Sequence, residues 1–77
     1  MTARDQAIVD LLLQGAENSD IAHELHMAER TVKTHFNILF KAYGIKGGIK
    51  RVKLAVLFYR MQLRADEEKR RTESMSE

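Results

Sequence analysis

Three polar side chains near the middle of the chain have the groups needed to contact nucleic-acid bases. Lys33 carries an ammonium group suited to guanine O6 and N7, and Asn37 carries a donor and an acceptor, which suits an adenine edge. Thr34 has a hydroxyl group and a methyl group that can meet the methyl of thymine. Asn37 follows Lys33 by four residues and Thr34 by three, which places all three on one helix face. Side chains of these types on one helix face suit the base edges of a DNA major groove.

The segment around these residues, 28–43, has the pattern of a single amphipathic helix. Its apolar stripe, at helical spacing, is Val32, Phe36, Leu39, Phe40 and Tyr43. The opposite face contains Arg30, Lys33, Thr34, Asn37 and Lys41. A polar face is most often only a solvated surface, so the charge distribution has to decide between a solvated face and a DNA-binding face.

Charge is divided unevenly along the chain. Residues 1–29 contain six acids and one base, whereas residues 30–65 contain nine bases and no acid. Such a run creates a strong local positive field, which is typical of proteins that bind a polyanion. An acidic protein surface is the alternative partner for this positive field. The bases, together with one hydroxyl, predict DNA phosphate contacts: Arg30, Thr31, Lys41, Lys46, Lys50, Arg51 and Lys53. The alternative for the last four is that they supply only the positive field.

Two shorter helices are predicted before this segment. Thr2 is expected to cap the first, which ends near Leu13, with Asp5 completing a capping box. Asn18 is expected to cap the second, over residues 19–25. Residues 26–28 then connect it to the third helix, and two helices joined by so short a turn form a helix-turn-helix.

A fourth helix is predicted from about Ile49 to Arg64 or beyond, with apolar residues almost all round it. One face is expected to pack on the first three helices: Leu54, Ala55, Phe58 and Met61. A second stripe predicts a symmetric homodimer: Val52, Val56, Tyr59 and Leu63. The alternative is that this stripe covers the first helix or a further domain of a longer protein. The charged residues 66–77 are expected to form a disordered tail.

Composition excludes several classes of protein. The chain has no Cys, so it has neither disulfides nor thiolate metal sites, and no apolar run reaches the length of a membrane span. His23, His26 and His35 lack the acidic or Cys partners of a metal site. No nucleophile motif, phosphate-binding loop or paired carboxylates are present. We therefore expect no enzyme activity, cofactor, small-molecule ligand or membrane association, and a cytoplasmic location.

The motifs together resemble the LuxR-type DNA-binding domain, also called GerE- or NarL-type. The residues that carry the resemblance are Thr2, Arg4 and Asp5, Gly15, Asn18, Ile21-Ala22, Leu25, Glu29, Thr31-Val32-Lys33, His35 and Gly44-Ile45. It implies an all-α, four-helix helix-turn-helix domain whose third helix enters the major groove and whose fourth helix often forms a dimer. It also implies base-edge positions at Lys33, Thr34 and Asn37, and positions near the DNA backbone or the core at Thr31, Val32 and His35; His35 thereby joins the predicted phosphate contacts.

Three departures from the family pattern stand out. Ala28 replaces the usual Ser or Thr that caps the third helix, Ala7 replaces a frequent Glu, and the loop after Ile45 is longer than usual. Many members carry a receiver or ligand-binding domain before this one, so the chain is expected to be a stand-alone regulator or the output domain of a response regulator.

The sequence thus predicts a transcriptional regulator that binds double-stranded DNA. The alternative is a protein-interaction module that docks on RNA polymerase or on a partner regulator through its apolar fourth helix. RNA binding is less favoured, because no stacking aromatic residues lie among the bases.

Overall fold

The fold consists of four helices in a computed structural model that describes residues 1–75. They are α1 (Ala3–Leu13), α2 (Asn18–Glu24), α3 (Glu29–Ala42) and α4 (Lys50–Met75). α3 packs on α2, and α4 lies across α1 and α3. The all-α, helix-turn-helix architecture predicted from the sequence is confirmed. No helix among the described residues is long and apolar enough to cross a membrane.

The core lies where the first three helices meet the N-terminal half of α4. Ile8, Ile21, Val32 and Leu54 come from the four different helices, and each is fully buried. All buried residues of the described chain are hydrophobic: Ile8, Val9, Leu12, Ile21, Ala22, Val32, Phe36, Leu39, Phe40, Leu54 and Phe58. The stripe predicted for the third helix is therefore the one that is buried, except Tyr43, which is 38% exposed and meets Phe58 edge-on at 5.1 Å.

Helix ends agree with the sequence at α1 and differ at α2. The Thr2 hydroxyl accepts a hydrogen bond from the Asp5 amide at 3.1 Å, and Asp5 accepts one from the Thr2 amide, as a capping box requires. The prediction that Asn18 caps α2 is wrong. Glu17 occupies that position, and its amide donates to Asp20 at 3.1 Å. Asn18 is instead the first residue of the helix, which frees its side chain for a contact with α4.

The fourth helix is longer and less buried than the sequence suggested. Leu54 and Phe58 pack in the core, but Met61, which was expected to join them, is 46% exposed, so that expectation is wrong. The helix continues to Met75, whereas we expected disorder from Asp66. No Gly or Pro interrupts this segment, and Asp66 and Glu67 precede Arg70 and Arg71 by four residues, a spacing that favours helix. Residues 76–77 lie outside the described part of the chain.

Candidate nucleic-acid interface

The turn that leads into α3 is tight and carries local strain. His26 has a φ of 54°, a left-handed conformation that residues other than Gly seldom adopt. The Met27 amide donates to the Ala22 carbonyl at 2.8 Å, which closes the turn onto α2. Ala28 is the N-cap of α3 and has no side chain with which to cap it. The Thr31 amide donates to the Ala28 carbonyl at 3.0 Å, but no side chain caps the amides that precede it in α3.

The exposed face of α3 contains the residues predicted to contact bases. Lys33, Thr34 and Asn37 are all exposed, whereas Val32 and Phe36, which alternate with them in sequence, are buried in the core. Lys33 and Asn37 line a shallow groove of about 270 Å³, which Phe40 also lines. The structure thus brings the three predicted residues together on one accessible surface.

The hydroxyl group of Thr34 already forms a hydrogen bond within the helix. It donates to the Arg30 carbonyl one turn earlier, at 3.1 Å. Because a hydroxyl has a single proton, this bond leaves Thr34 as an acceptor and an apolar methyl, not as a donor.

Arg51 holds the N-terminal end of α4 against the helix-turn-helix. Its guanidinium group donates to the Asn18 side chain and, at 2.9 Å, to the Ala16 carbonyl, and it lies over the Phe36 ring at 4.8 Å from the centroid. These contacts link α4 to the start of α2 and to the buried face of α3. We expected Arg51 at a DNA phosphate, and in the structure two of its donors have partners within the chain.

His35 is likewise engaged with a neighbouring helix. Its Nδ1 donates to Oδ1 of Asp5 on α1 at 2.8 Å, and both side chains are largely shielded from solvent. Burial raises the pKa of the Asp5 carboxyl, but hydrogen bonds from His35 and Thr2 outweigh that effect and leave the pKa below its usual value of 3.8. His35 thus ties α3 to α1 and does not present this nitrogen to a phosphate as expected.

The remaining predicted phosphate contacts are exposed. They are Arg30, Thr31, Lys41, Lys46, Lys50 and Lys53. Lys41, Lys46 and Lys50 surround one open groove between the end of α3 and the start of α4, and the Lys50 ammonium lies 5.9 Å from the Phe40 ring centroid.

The loop over residues 46–49 has a defined shape. Gly47 and Gly48 have φ values of 65° and 62°, a left-handed pair that other residues would strain to adopt. The Lys53 ammonium donates to the Lys46 carbonyl at 3.1 Å across this loop. The loop that departs in length from the family pattern is therefore folded back onto α4.

Comparison with protein families shows to which family the chain belongs. The model of the bacterial regulatory proteins of the luxR family matches residues 1–55, which include α1, α2, α3 and the start of α4. The chain belongs to the LuxR family of bacterial regulatory proteins. The resemblance inferred from the motifs is thereby confirmed, and the family is one of DNA-binding transcriptional regulators, as predicted, and not of enzymes.

Three curated proteins illustrate the relationship. The chain is 44% identical over 46 residues to the probable csgAB operon transcriptional regulatory protein of Salmonella typhimurium and to the CsgBAC operon transcriptional regulatory protein of Escherichia coli. It is 34% identical over 47 residues to the spore germination protein GerE of Bacillus subtilis. These matches cover 60–61% of the chain. They span 21% of the first two relatives and 64% of GerE. No solved structure gives a significant match.

Sequence reasoning missed the partners of His35 and Arg51. Both pairs join residues that are at least 30 positions apart in the chain, so no local spacing could indicate them.

Proposed function

We propose that the chain is the sequence-specific DNA-binding part of a transcriptional regulator, with α3 in the major groove of double-stranded DNA. The observation that carries the proposal is the exposed face of α3, where Lys33, Thr34 and Asn37 lie together on a helix whose other face is buried. In this arrangement Lys33 and Asn37 hydrogen-bond to base edges and Thr34 offers its methyl group. The chemistry is non-catalytic and needs no cofactor.

Contacts with DNA phosphates would hold α3 in register. The proposed contacts are the exposed bases and hydroxyl named above: Arg30, Thr31, Lys41, Lys46, Lys50 and Lys53. His35 and Arg51 act differently, since their side chains bind within the protein and orient α3 relative to α1, α2 and α4. Each phosphate contact releases counterions from DNA, which makes binding depend on salt.

The second stripe of α4 supports a homodimer. Val52, Val56, Tyr59 and Leu63 are between 43% and 57% exposed, and they follow one another at the spacing of a helix–helix interface. Val56 and Tyr59 also line an open apolar groove against α1. Covering a few hundred Å² at about 25 cal/mol per Å² would contribute several kcal/mol before the costs of association.

A two-fold dimer sets the geometry of the DNA target. Two copies of α3 related by such an axis would contact two inverted half-sites about 10–10.5 base pairs apart from centre to centre. DNA would then strengthen a weak dimer by holding two subunits side by side.

Salt dependence separates this function from the alternative, which is docking on RNA polymerase or a partner regulator. That alternative is favoured by the same exposed stripe on α4. Binding to double-stranded DNA should weaken steeply with salt, with a slope of log K against log salt of about −0.9 for each phosphate contacted. A protein contact through apolar residues responds little to salt. Absence of DNA binding at low salt, or an affinity independent of salt, would contradict the proposal.

Val56→Glu tests the dimer separately. The residue is 43% exposed, so the variant should fold while placing a charge in the proposed interface. We expect loss of self-association in sedimentation and loss of cooperativity on paired half-sites, with single half-site binding retained. If the wild-type protein is monomeric at high concentration and fills the two half-sites independently, the dimer proposal is wrong.

A further inference from the structure

One large apolar side chain lies on the polar side of α3. Ile38 is 57% exposed, whereas the apolar residues of the buried stripe, Val32, Phe36, Leu39 and Phe40, are at most 8% exposed. At about 100° per residue, Ile38 is some 200° around the helix from Phe36 and therefore almost opposite it. It follows Thr34 by one turn, so the two side chains are neighbours on the surface.

The fold itself does not use Ile38. It is absent from the core and from the partly buried hydrophobic residues that pack against the core within the described chain. A single exposed isoleucine is common on protein surfaces and by itself indicates nothing. Its position distinguishes it, because it lies one turn beyond Thr34, at the edge of the face proposed to enter the groove.

The chemistry of the major groove contains one apolar group that such a side chain can recognise. Thymine exposes a C5-methyl group, which cytosine and the purines lack. Lys33 and Asn37 recognise polar atoms and gain nothing from this methyl. Thr34 has committed its proton to the Arg30 carbonyl at 3.1 Å, so its methyl and Ile38 form an apolar pair among polar neighbours.

We infer that Ile38 is an additional specificity-determining residue, which contacts the C5-methyl of a thymine in each half-site. The inference rests on the proposed docking of α3 in the major groove and deepens it by naming the base that this part of the helix selects. Burying a methyl against Ile38 removes apolar surface of both partners from water, which favours thymine over cytosine at that position.

The test removes the methyl from the DNA without changing its base pairing. A preferred site is first selected from a random pool of double-stranded DNA, and each thymine is then replaced in turn by deoxyuridine. Affinities are measured by fluorescence anisotropy at one salt concentration for the wild-type protein, Ile38→Ala and Ile49→Ala. Ile49 is the matched control, because it is 71% exposed but lies outside α3, just before α4.

One or more deoxyuridine replacements should weaken wild-type binding by about three- to fivefold, the value of one buried methyl group. Ile38→Ala should lose a similar factor on the thymine site and show no further loss on the deoxyuridine site, whereas Ile49→Ala should respond like the wild type. An equal response of Ile38→Ala and wild type to every replacement, or no response to any, would overturn the inference. Lys33→Ala, measured alongside, separates failure of this inference from failure of the proposed docking. If Lys33→Ala binds the selected site as tightly as the wild type does, the docking of α3 has failed, and not Ile38 alone.

Discussion

α3 and α4 are both rich in apolar residues, but the domain uses them differently. α3 places its apolar stripe in the core and, apart from Ile38, leaves a polar face outside, so the stripe is packed within one chain. Among residues 50–73 of α4, only Leu54 and Phe58 are buried, and the side chains from Tyr59 to Glu73 are exposed. A helix with one buried face is fixed by its own domain, whereas a helix with an exposed apolar stripe has surface available for a partner.

The largest effect expected from this comparison is on stability. Phe36→Ala should lower the free energy of unfolding by about 3–5 kcal/mol, because it leaves a cavity beneath α3. Tyr59→Ala, also an aromatic truncation but on the exposed stripe of α4, should change it by about 0.5 kcal/mol or less in dilute solution. Denaturant melts measure both, and Phe36→Leu provides a milder variant if Phe36→Ala does not fold. Equal losses of unfolding free energy at the two positions would contradict the distinction between a buried face on α3 and an exposed stripe on α4.

Arg51 is the point at which α4 becomes part of the helix-turn-helix. Arg51→Ala should lower the free energy of unfolding by about 1.5–3 kcal/mol, since it removes charge-assisted hydrogen bonds to Asn18 and Ala16. Arg51→Lys should not restore it, because a single ammonium cannot reproduce the two-pronged guanidinium contact. Arg60→Ala, at an exposed arginine of the same helix, is the control. Full stability of Arg51→Lys would show that the forked geometry is unnecessary.

The link between α3 and α1 should make stability depend on pH. The pKa of Asp5 is lower in the folded protein than its usual value of 3.8, so its contribution is fully present above that value and is lost as the pH falls through the folded pKa. Asp5→Asn should therefore be less stable than the wild type at pH 7, with a difference that narrows below about pH 4. Thermal melts across this range test it, with the exposed Glu24→Gln as control. A difference that stays constant with pH would mean that the carboxylate charge is not responsible.

The smallest expected change is a gain at the start of α3. Ala28→Ser should raise the free energy of unfolding by about 0.5–2 kcal/mol, because a hydroxyl would satisfy an amide that no side chain caps. Denaturant melts of the two proteins decide it. A loss of stability would show that the turn around His26 does not allow the capping geometry.

The sequence predicted what depends on local patterns. The buried stripe of α3 and the Thr2–Asp5 capping box both follow from spacings within a few residues. The exposed polar face of α3 followed for the same reason. The partners of Arg51 and His35 could not be predicted, because they depend on how separate helices pack.

Some differences between the sequence predictions and the structure arose where two neighbouring residues could take the same position. Glu17 and Asn18 both lie where α2 begins, and in the structure Glu17 is the N-cap residue. Asn18 is then the first residue of the helix, and its side chain accepts a hydrogen bond from Arg51. Ile38 was not predicted, because the residue types and spacing of α3 pointed only to its polar side chains as candidates for base contact. An apolar residue among these polar ones becomes a candidate for contact only once the structure shows that its side chain is exposed.

The most direct test of the central claim compares two lysines on two DNAs. Lys33→Ala should weaken binding to the selected site by about 1–3 kcal/mol and binding to random DNA much less, because base contacts carry the sequence information. Lys53→Ala, at an exposed lysine on α4, should weaken binding to both DNAs by similar amounts, as expected for a phosphate contact. If both variants lose the same affinity on both DNAs, α3 does not recognise bases through Lys33.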